Sequence, residues 1–397
     1  MEIKNEKFEF TLGLQRYLVI GVLIGLLSFV IGYMSSPQRA WINYLVNLFY
    51  FVSLGLSGGV LVAIASITNA SWLTPYKRIP ETFTRFLPVG FLLGLGLFFG
   101  VHTLYEWSHH SVVENDPILL GKSIYLNTPF FMARLAGFFF LWIVLTKIIR
   151  KISEEQDRTG EVRLTQKLTK WSALFLIAFA FTYTFASFDW LMSLRPHWFS
   201  TIFAIYNFSG LIVNGFACVT LTILFLHERG LLTNVVSEEH LHDLGKFLFG
   251  FTTFWAYIWI CQYLLIWYAN IPEETGYYLG RLEHTWDWLF YFNLAINWIV
   301  PFFALMTSQS KRSVFVLKRI CILLIIGHWL DIYLMVAPEV FHHAGITNPQ
   351  IGFVEIGTSV GFMCLFYLIV GRAFTKINLV AKNDPYLEEG INFHQPL

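Results

Sequence analysis

The residues able to carry protons in this chain gather in short groups near the ends of long apolar runs. His102, Glu106 and His109 fall at i, i+4 and i+7, so an unbroken helix would set them on one face. His284 and Asp287 stand at i and i+3, and His328 and Asp331 repeat that spacing, which lets the acid orient the imidazole. Arg134 lies inside another apolar run, and Glu355 begins the last one. The stretch Phe185-Ala-Ser-Phe-Asp189-Trp190-Leu-Met-Ser-Leu-Arg195-Pro196-His197-Trp198-Phe-Ser200 brings one run to an acid. It then turns at a proline beside an arginine and a histidine and enters the next run.

A histidine beside a carboxylate accepts and passes protons near neutral pH. A carboxylate in hydrocarbon costs free energy that an alanine would not, so its presence points to a partner, a water path or a ligand. The Asp189 turn is therefore the leading candidate for chemistry, with His102 and Glu106 beside it. Arg134 has Glu106 and Asp189 as natural partners, in a structural ion pair or in tuning a carboxylate. For His109 and His110 a surface cluster suffices, and His342 and His343 read as exposed loop residues. Metal binding would need further ligands converging from other helices, and no spacing here requires that. Four cysteines (Cys218, Cys261, Cys321, Cys364) lie far apart inside apolar runs, without the pairs that hold haem or iron–sulfur clusters. The chain is thus expected to bind no metal or redox cofactor of its own, and no residue is assigned as catalytic.

The elements that must position these groups are membrane helices. Hydrophobic residues make up 56% of the 397 and charged residues 13%, with a mean hydropathy of +0.57, far from the roughly 25% charge of soluble domains. The net charge of +1 gives no sign of a nucleic-acid partner. Apolar runs of membrane length predict ten spans: 17–34, 41–66, 84–107, 129–149, 168–190, 199–227, 246–270, 284–309, 314–337 and 353–374. No small-residue cleavage site follows the first run, which reads as a retained helix. Free of Asp, Glu, Lys, Arg and His, it reads as a peripheral, lipid-facing span. The expected class is an all-α polytopic membrane protein forming a single membrane domain.

Of 27 Lys and Arg, 22 fall on the face that holds both termini and four (Arg39, Lys122, Arg195, Arg281) on the other, which predicts cytoplasmic termini. The candidate acids and histidines then lie in the outer half of the membrane. The inner half has hydroxyls and amides, among them Tyr183, Asn207, Asn214, Gln262, Asn293 and Asn297. An acid with aromatics and a methionine recurs at Asp189 and Asp331, four spans apart. This echo fits two four-helix bundles, 41–190 and 199–337, flanked by peripheral helices at 17–34 and 353–374 and followed by a cytoplasmic tail, 375–397.

Two stretches carry a family resemblance. They are Ser187-Phe-Asp-Trp-Leu-Met-Ser-Leu-Arg-Pro-His-Trp-Phe-Ser-Thr-Ile-Phe203 and Gly245-Lys-Phe-Leu-Phe-Gly-Phe-Thr-Thr-Phe-Trp-Ala-Tyr-Ile-Trp-Ile-Cys-Gln-Tyr-Leu-Leu-Ile-Trp-Tyr-Ala-Asn-Ile-Pro-Glu-Glu-Thr275. Together they resemble the polysulfide-reductase-type (NrfD/PsrC-like) membrane subunits of bacterial alternative complex III, and the likeness extends over nearly the whole chain. The length is closer to the shorter of the two such subunits. The resemblance implies a non-redox subunit of a quinol:cytochrome c oxidoreductase in the bacterial inner (cytoplasmic) membrane. It would contribute a proton path and a region for menaquinol or ubiquinol at the outer, periplasmic half. Implied partners are a sister NrfD-like subunit, a periplasmic iron–sulfur protein, multihaem and monohaem c-type cytochromes and small membrane subunits, within the lipid bilayer. The implied proton and quinol region comprises His102, Glu106, Arg134, Asp189, His197, His284, Asp287, His328, Asp331 and Glu355. A self-sufficient ion or proton transporter and a purely structural anchor are the alternatives.

The charge bias generates a direct test. A reporter fused to either terminus is expected to be active only in the cytoplasm, and activity only outside the cell would reverse the topology.

Overall fold

The computed structural model describes residues 8–282 and 285–392, and nine helices among these are long and apolar enough to cross a membrane. They are α1 (Leu12–Ser35), α2 (Pro37–Thr68), α3 (Arg78–Phe99), α4 (Thr128–Thr159), α5 (Arg163–Trp190), α6 (Phe203–Glu228) and α7 (Glu238–Ala269), then α10 (Val314–His343) and α11 (Phe353–Phe374). Between α7 and α10 lie a short helix, α8 (Pro272–Leu282), and the interrupted helix α9. No strand occurs among the described residues.

The expected span at 284–309 is α9, built as Asp287–Leu294 in α geometry, Ala295–Ile299 in π geometry and Val300–Ala304 in α geometry again. Pro301 has no amide hydrogen to return to the preceding turn, and just before it the ladder widens, with Val300 N–H reaching the carbonyl of Ala295. The apolar run is real, but a proline and a widened turn divide its helix.

Helices α2 and α6 form the buried axis, with nine-tenths of their apolar windows inside the protein. Helix α2 packs on α3, which packs on α4, then α5, which returns to α2. Helix α6 packs on α7, which packs on α9, then α10, which returns to α6. The two groups meet where α2 and α5 touch α6 and where α2 touches α10.

Outside this frame α1 lies against α11 and α2 and buries only Gly21, Gly25, Ser28 and Gly32. Their spacing of three to four residues makes a stripe narrow enough for close backbone approach, the usual means by which apolar helices associate in lipid. A methyl group added at Gly25 would lie 2.4 Å from Cα of Gly361 on α11. The expected tail, 375–397, is packed where it is described. Residues Leu387–Ile391 lie against Ser71–Tyr76, Lys77 pairs with Asp384, and His240 Nε2 meets the Gly390 carbonyl at 2.9 Å.

Gly25→Val should therefore force α1 away from α11 at a cost of about 1–3 kcal/mol. Thermal melting in detergent is expected to fall for Gly25→Val. It should not change for Gly13→Ala, where a methyl has nothing within 4 Å.

Candidate functional site

Asp331 is 1% exposed, 17 residues into α10, and its carboxylate is held by three neutral donors from three other helices. The Tyr206 hydroxyl (α6) donates to Oδ1, Asn293 Nδ2 (α9) to Oδ1 at 2.8 Å, and Trp255 Nε1 (α7) to Oδ2 at 3.1 Å. His328 Nδ1, one turn away, stands 3.9 Å from Oδ2. No Lys or Arg among the described residues forms an ion pair with this acid.

The neighbouring backbone is shaped to admit these groups. Asn297 Nδ2 donates to Asn293 Oδ1 at 2.7 Å, so consecutive amides of α9 line up beside α10 where the π segment widens the turn. The His328 imidazole lies against Gly210 of α6, where a methyl group would stand 2.3 Å from Cε1. Its Nε2 is buried with no hydrogen-bond partner among the described residues.

Toward the C-terminal end of α10 a second proline sets the geometry. Pro338 cannot donate to the Leu334 carbonyl, which would otherwise lie unsatisfied in a buried wall. Arg281 of α8 takes it, with Nε donating to Leu334 O at 2.9 Å and Nη2 to Met335 O at 3.0 Å. Its Nη1 donates to Tyr277 O at 2.6 Å and to Glu339 Oε1 at 2.7 Å, and the guanidinium stacks 3.4 Å from the Tyr277 ring centre. The other oxygen of Glu339 is 3.5 Å from Arg195 Nη1, which also donates to Gly276 O at 2.8 Å.

Above this pair opens a cavity of about 500 Å³ whose walls include Glu106, Arg195, His197, Glu339, His342 and His343. Glu106 and His343 are 2.5 Å apart, and His197 is 2.7 Å from Asp116. The hydrogen bond from His343 holds the Glu106 carboxyl below its ordinary range, against an opposing effect of burial. Below the pair a small pocket walled by Gln262, Tyr277, Arg281, Asn293 and Asp331 continues to the buried acid. Polar side chains thus line the way from this cavity, through the Glu339–Arg281 pair, to the small pocket that holds Asp331. Such a set can hold protons at its two ends and orient water between them.

The sequence-predicted residues divide. Asp189 is buried and its Oδ2 accepts from Arg134 Nε at 2.7 Å; Arg134 is packed over the rings of Tyr125 and Phe130, at 3.8 and 4.4 Å. Of the two partners expected for Arg134, only Asp189 takes it, since Glu106 is engaged by His343. The turn itself is shared out, with Arg195 on Glu339 and His197 on Asp116.

His102, Glu106 and His109 do not share a helical face. Tyr105 is extended (φ −118°, ψ 120°) and breaks the helix between them. His102 is exposed, with Nδ1 3.1 Å from Ser108 Oγ, and is not a deep residue. Asp287 is exposed and accepts from Trp288 N at 2.8 Å, while His284 lies outside the described residues. Glu355 is fully buried, accepting from Arg39 at 2.6 and 2.5 Å, Asn43 at 3.0 Å and Gly352 N at 2.8 Å; it binds α11 to α2 and lies apart from the cavity. His342 and His343 are exposed, as expected, but they end α10 instead of lying in a loop, and they line the cavity.

Sequence reasoning passed over Glu339, Arg281, Tyr206 and Trp255, and it assigned Asn293 and Gln262 to the inner half. A signal for the first was present: Pro338-Glu339 stands where an apolar run ends, four residues beyond Met335. Among the described residues no group of three or more His, Cys, Asp and Glu converges as metal ligands would. No family model and no curated protein matches this chain.

Arg281 is 2% exposed, so Glu339→Gln would leave a buried guanidinium without its counter-charge, at a cost of about 3–5 kcal/mol. A clear loss of thermal stability in detergent is the expected result. Glu106→Gln, at a half-exposed pair, should change melting far less.

Proposed function

We propose that this chain is the shorter, ActF-type membrane subunit of a bacterial alternative complex III, a quinol:cytochrome c oxidoreductase, and that it supplies a proton path between the outer cavity and Asp331. On this reading ten spans form two four-helix bundles and two peripheral helices in the inner membrane, with both termini cytoplasmic. The sister membrane subunit, the periplasmic iron–sulfur protein, the multihaem and monohaem c-type cytochromes and small membrane subunits complete the assembly. Quinol, whether menaquinol or ubiquinol, gives up two electrons to the partners' centres and two protons. The task of this chain is to take up, hold and release protons.

The observation that carries the reading is the setting of Asp331. A carboxylate paired with a guanidinium, as Asp189 is with Arg134, cannot be neutralised without stranding the cation. A buried carboxylate among neutral donors has no such lock, so its charged and protonated forms differ mainly by one proton and small shifts of hydroxyl and amide. His328 beside it and the cavity carboxylates and imidazoles above it provide further proton stations. The two sequence motifs support the assignment to the complex.

A second reading, a self-sufficient proton or ion carrier, is favoured by one feature. Helix α9 is interrupted by the π segment and Pro301 beside a buried acid, as transporter helices are interrupted at their binding sites.

Purification in mild detergent separates the two, since co-purifying c-type haem supports the complex and a lone active chain supports the carrier. Within an assembled complex, Asp331→Asn keeps the acceptor for Tyr206 and Asn293 and turns its amide toward Trp255, a loss of about one hydrogen bond, roughly 1 kcal/mol. It is expected to assemble and to slow proton-coupled turnover at least about tenfold. Asp189→Asn should instead impair assembly by stranding Arg134. Full turnover with normal proton release in an assembled Asp331→Asn complex would remove this acid from the mechanism.

A further inference from the structure

At the opposite end of the protein the chain encloses a second large cavity, of about 480 Å³, whose walls are almost wholly carbon. Its back wall is buried Phe51 and Leu54 of α2 and Cys218 of α6; its sides are α10 and α11, and Leu14 and Leu18 of α1 complete it. Ile322, Ile326 and Met363 line it and are 42%, 58% and 41% exposed, so it opens sideways between α10 and α11.

The dimensions select a narrow, long occupant. On α11 the lining runs from Met363 to Phe374, eleven residues or about 16 Å of helix rise. One leaflet of a bilayer is about 15 Å of hydrocarbon. The cavity thus extends from the membrane interface at its shallow end to mid-depth at Tyr50.

Polarity is distributed unequally between the two ends. At the deep end the Tyr50 hydroxyl already donates to Asn214 Oδ1 at 2.9 Å and lies 3.0 Å from Ile325 O. At the shallow end Arg229, just past the end of α6, stacks 4.3 Å from the Phe225 ring and 5.8 Å from that of Phe8, both lining residues. Arg229 is exposed and makes no ion pair with a described carboxylate. Arg319 sits on α10 one turn before Ile322, with its guanidinium over Phe315. A molecule with an apolar tail and an anionic head at the interface matches this arrangement. A quinone would bring its polar head to one end and find no cation needed there.

We propose that this cavity binds one acyl chain of an anionic phospholipid, with the phosphate beside Arg229 on the face where Lys and Arg concentrate. The cavity's deep end comes within 5.6 Å of the His328 ring at Tyr50, but Asp331 is not among its walls, and lipid binding there does not depend on how that acid is used. The lipid would brace α1 and α11 against the α6–α10 side, filling space that protein side chains leave open.

The test is lipid retention by the detergent-purified protein, in whatever assembly it purifies, after exchange into nanodiscs containing equal parts of phosphatidylglycerol and phosphatidylcholine. Native mass spectrometry should show one retained phosphatidylglycerol in preference to phosphatidylcholine. Arg229→Gln should lower that preference about fivefold, the effect of one basic residue at an anionic surface. Met363→Trp, which narrows the opening with an apolar side chain, should reduce retention of either lipid while leaving the Arg229 effect on the residual fraction. Equal retention of both phospholipids, retention indifferent to Arg229, or displacement of phospholipid by added ubiquinone or menaquinone would each overturn the proposal, the last by assigning the cavity to an isoprenoid tail. Lipid retention is read without turnover, so its failure leaves the proton-path reading as it stands.

Discussion

The packing around the C-terminal end of α10 depends on how one buried guanidinium is satisfied. In hydrocarbon every backbone carbonyl must find a donor within the protein, and Pro338 removes a donor from the last turns of a packed helix. Arg281 reaches across from α8 and meets two carbonyls of α10 and the carboxylate of Glu339 at once. That single side chain fixes α8 over the end of α10, which in turn places Tyr277 and Tyr278 in the wall of the pocket that contains Asp331. Through its second oxygen Glu339 also holds Arg195, so the turn between α5 and α6 is tied to the same point. Break, cation and acid form one unit.

The same constraint explains why two acids with similar sequence surroundings differ. Asp189 and Asp331 each stand near tryptophan and methionine in the sequence, and both are almost wholly buried. Asp189 has Arg134 within 2.7 Å, so its charge is compensated on the spot and its contribution is to fasten α4 to α5. Asp331 has neutral donors from α6, α7 and α9, so its charge is spread over hydrogen bonds that persist in either protonation state. One acid is suited to holding helices and the other to exchanging a proton, and only their neighbours from other helices distinguish them.

Those neighbours also mark what a sequence can and cannot reveal. Span lengths were legible because hydropathy is local, and the class and nearly all helices followed from it. The peripheral nature of α1 was legible from its unbroken apolar composition, although not its glycine seam with α11. The His328–Asp331 spacing was legible, since both lie on one regular helix. The His102–Glu106–His109 face was not, because an extended residue at Tyr105 is invisible to a periodicity argument. Arg281 looked like a loop cation because its environment is made by a carbonyl set free 53 residues away. Pairings across such separations are set by packing, which no local pattern encodes.

Depth bears on which of the two functional readings the architecture favours. Between the cavity beside Glu339 and Asp331 the walls include Arg281, Gln262 and Asn293, and the His328 ring lies 5.6 Å from that of Tyr50, which lines the carbon-walled cavity. On the N-terminal side of His328, α10 residues 320–327 are Ile-Cys-Ile-Leu-Leu-Ile-Ile-Gly, with no charged group for about 12 Å of rise. A carrier must open its site alternately to both sides, whereas a subunit that takes protons from an oxidation and delivers them outward needs only one polar access. Past His328 the buried polar groups, among them Tyr50 and Asn214, are neutral, whereas the approach from Glu339 and Arg281 is charged, and such one-sided access is the economical form of the second device. The interruption of α9 then serves to present Asn293 and Asn297 to α10 in register, and it need not be a hinge.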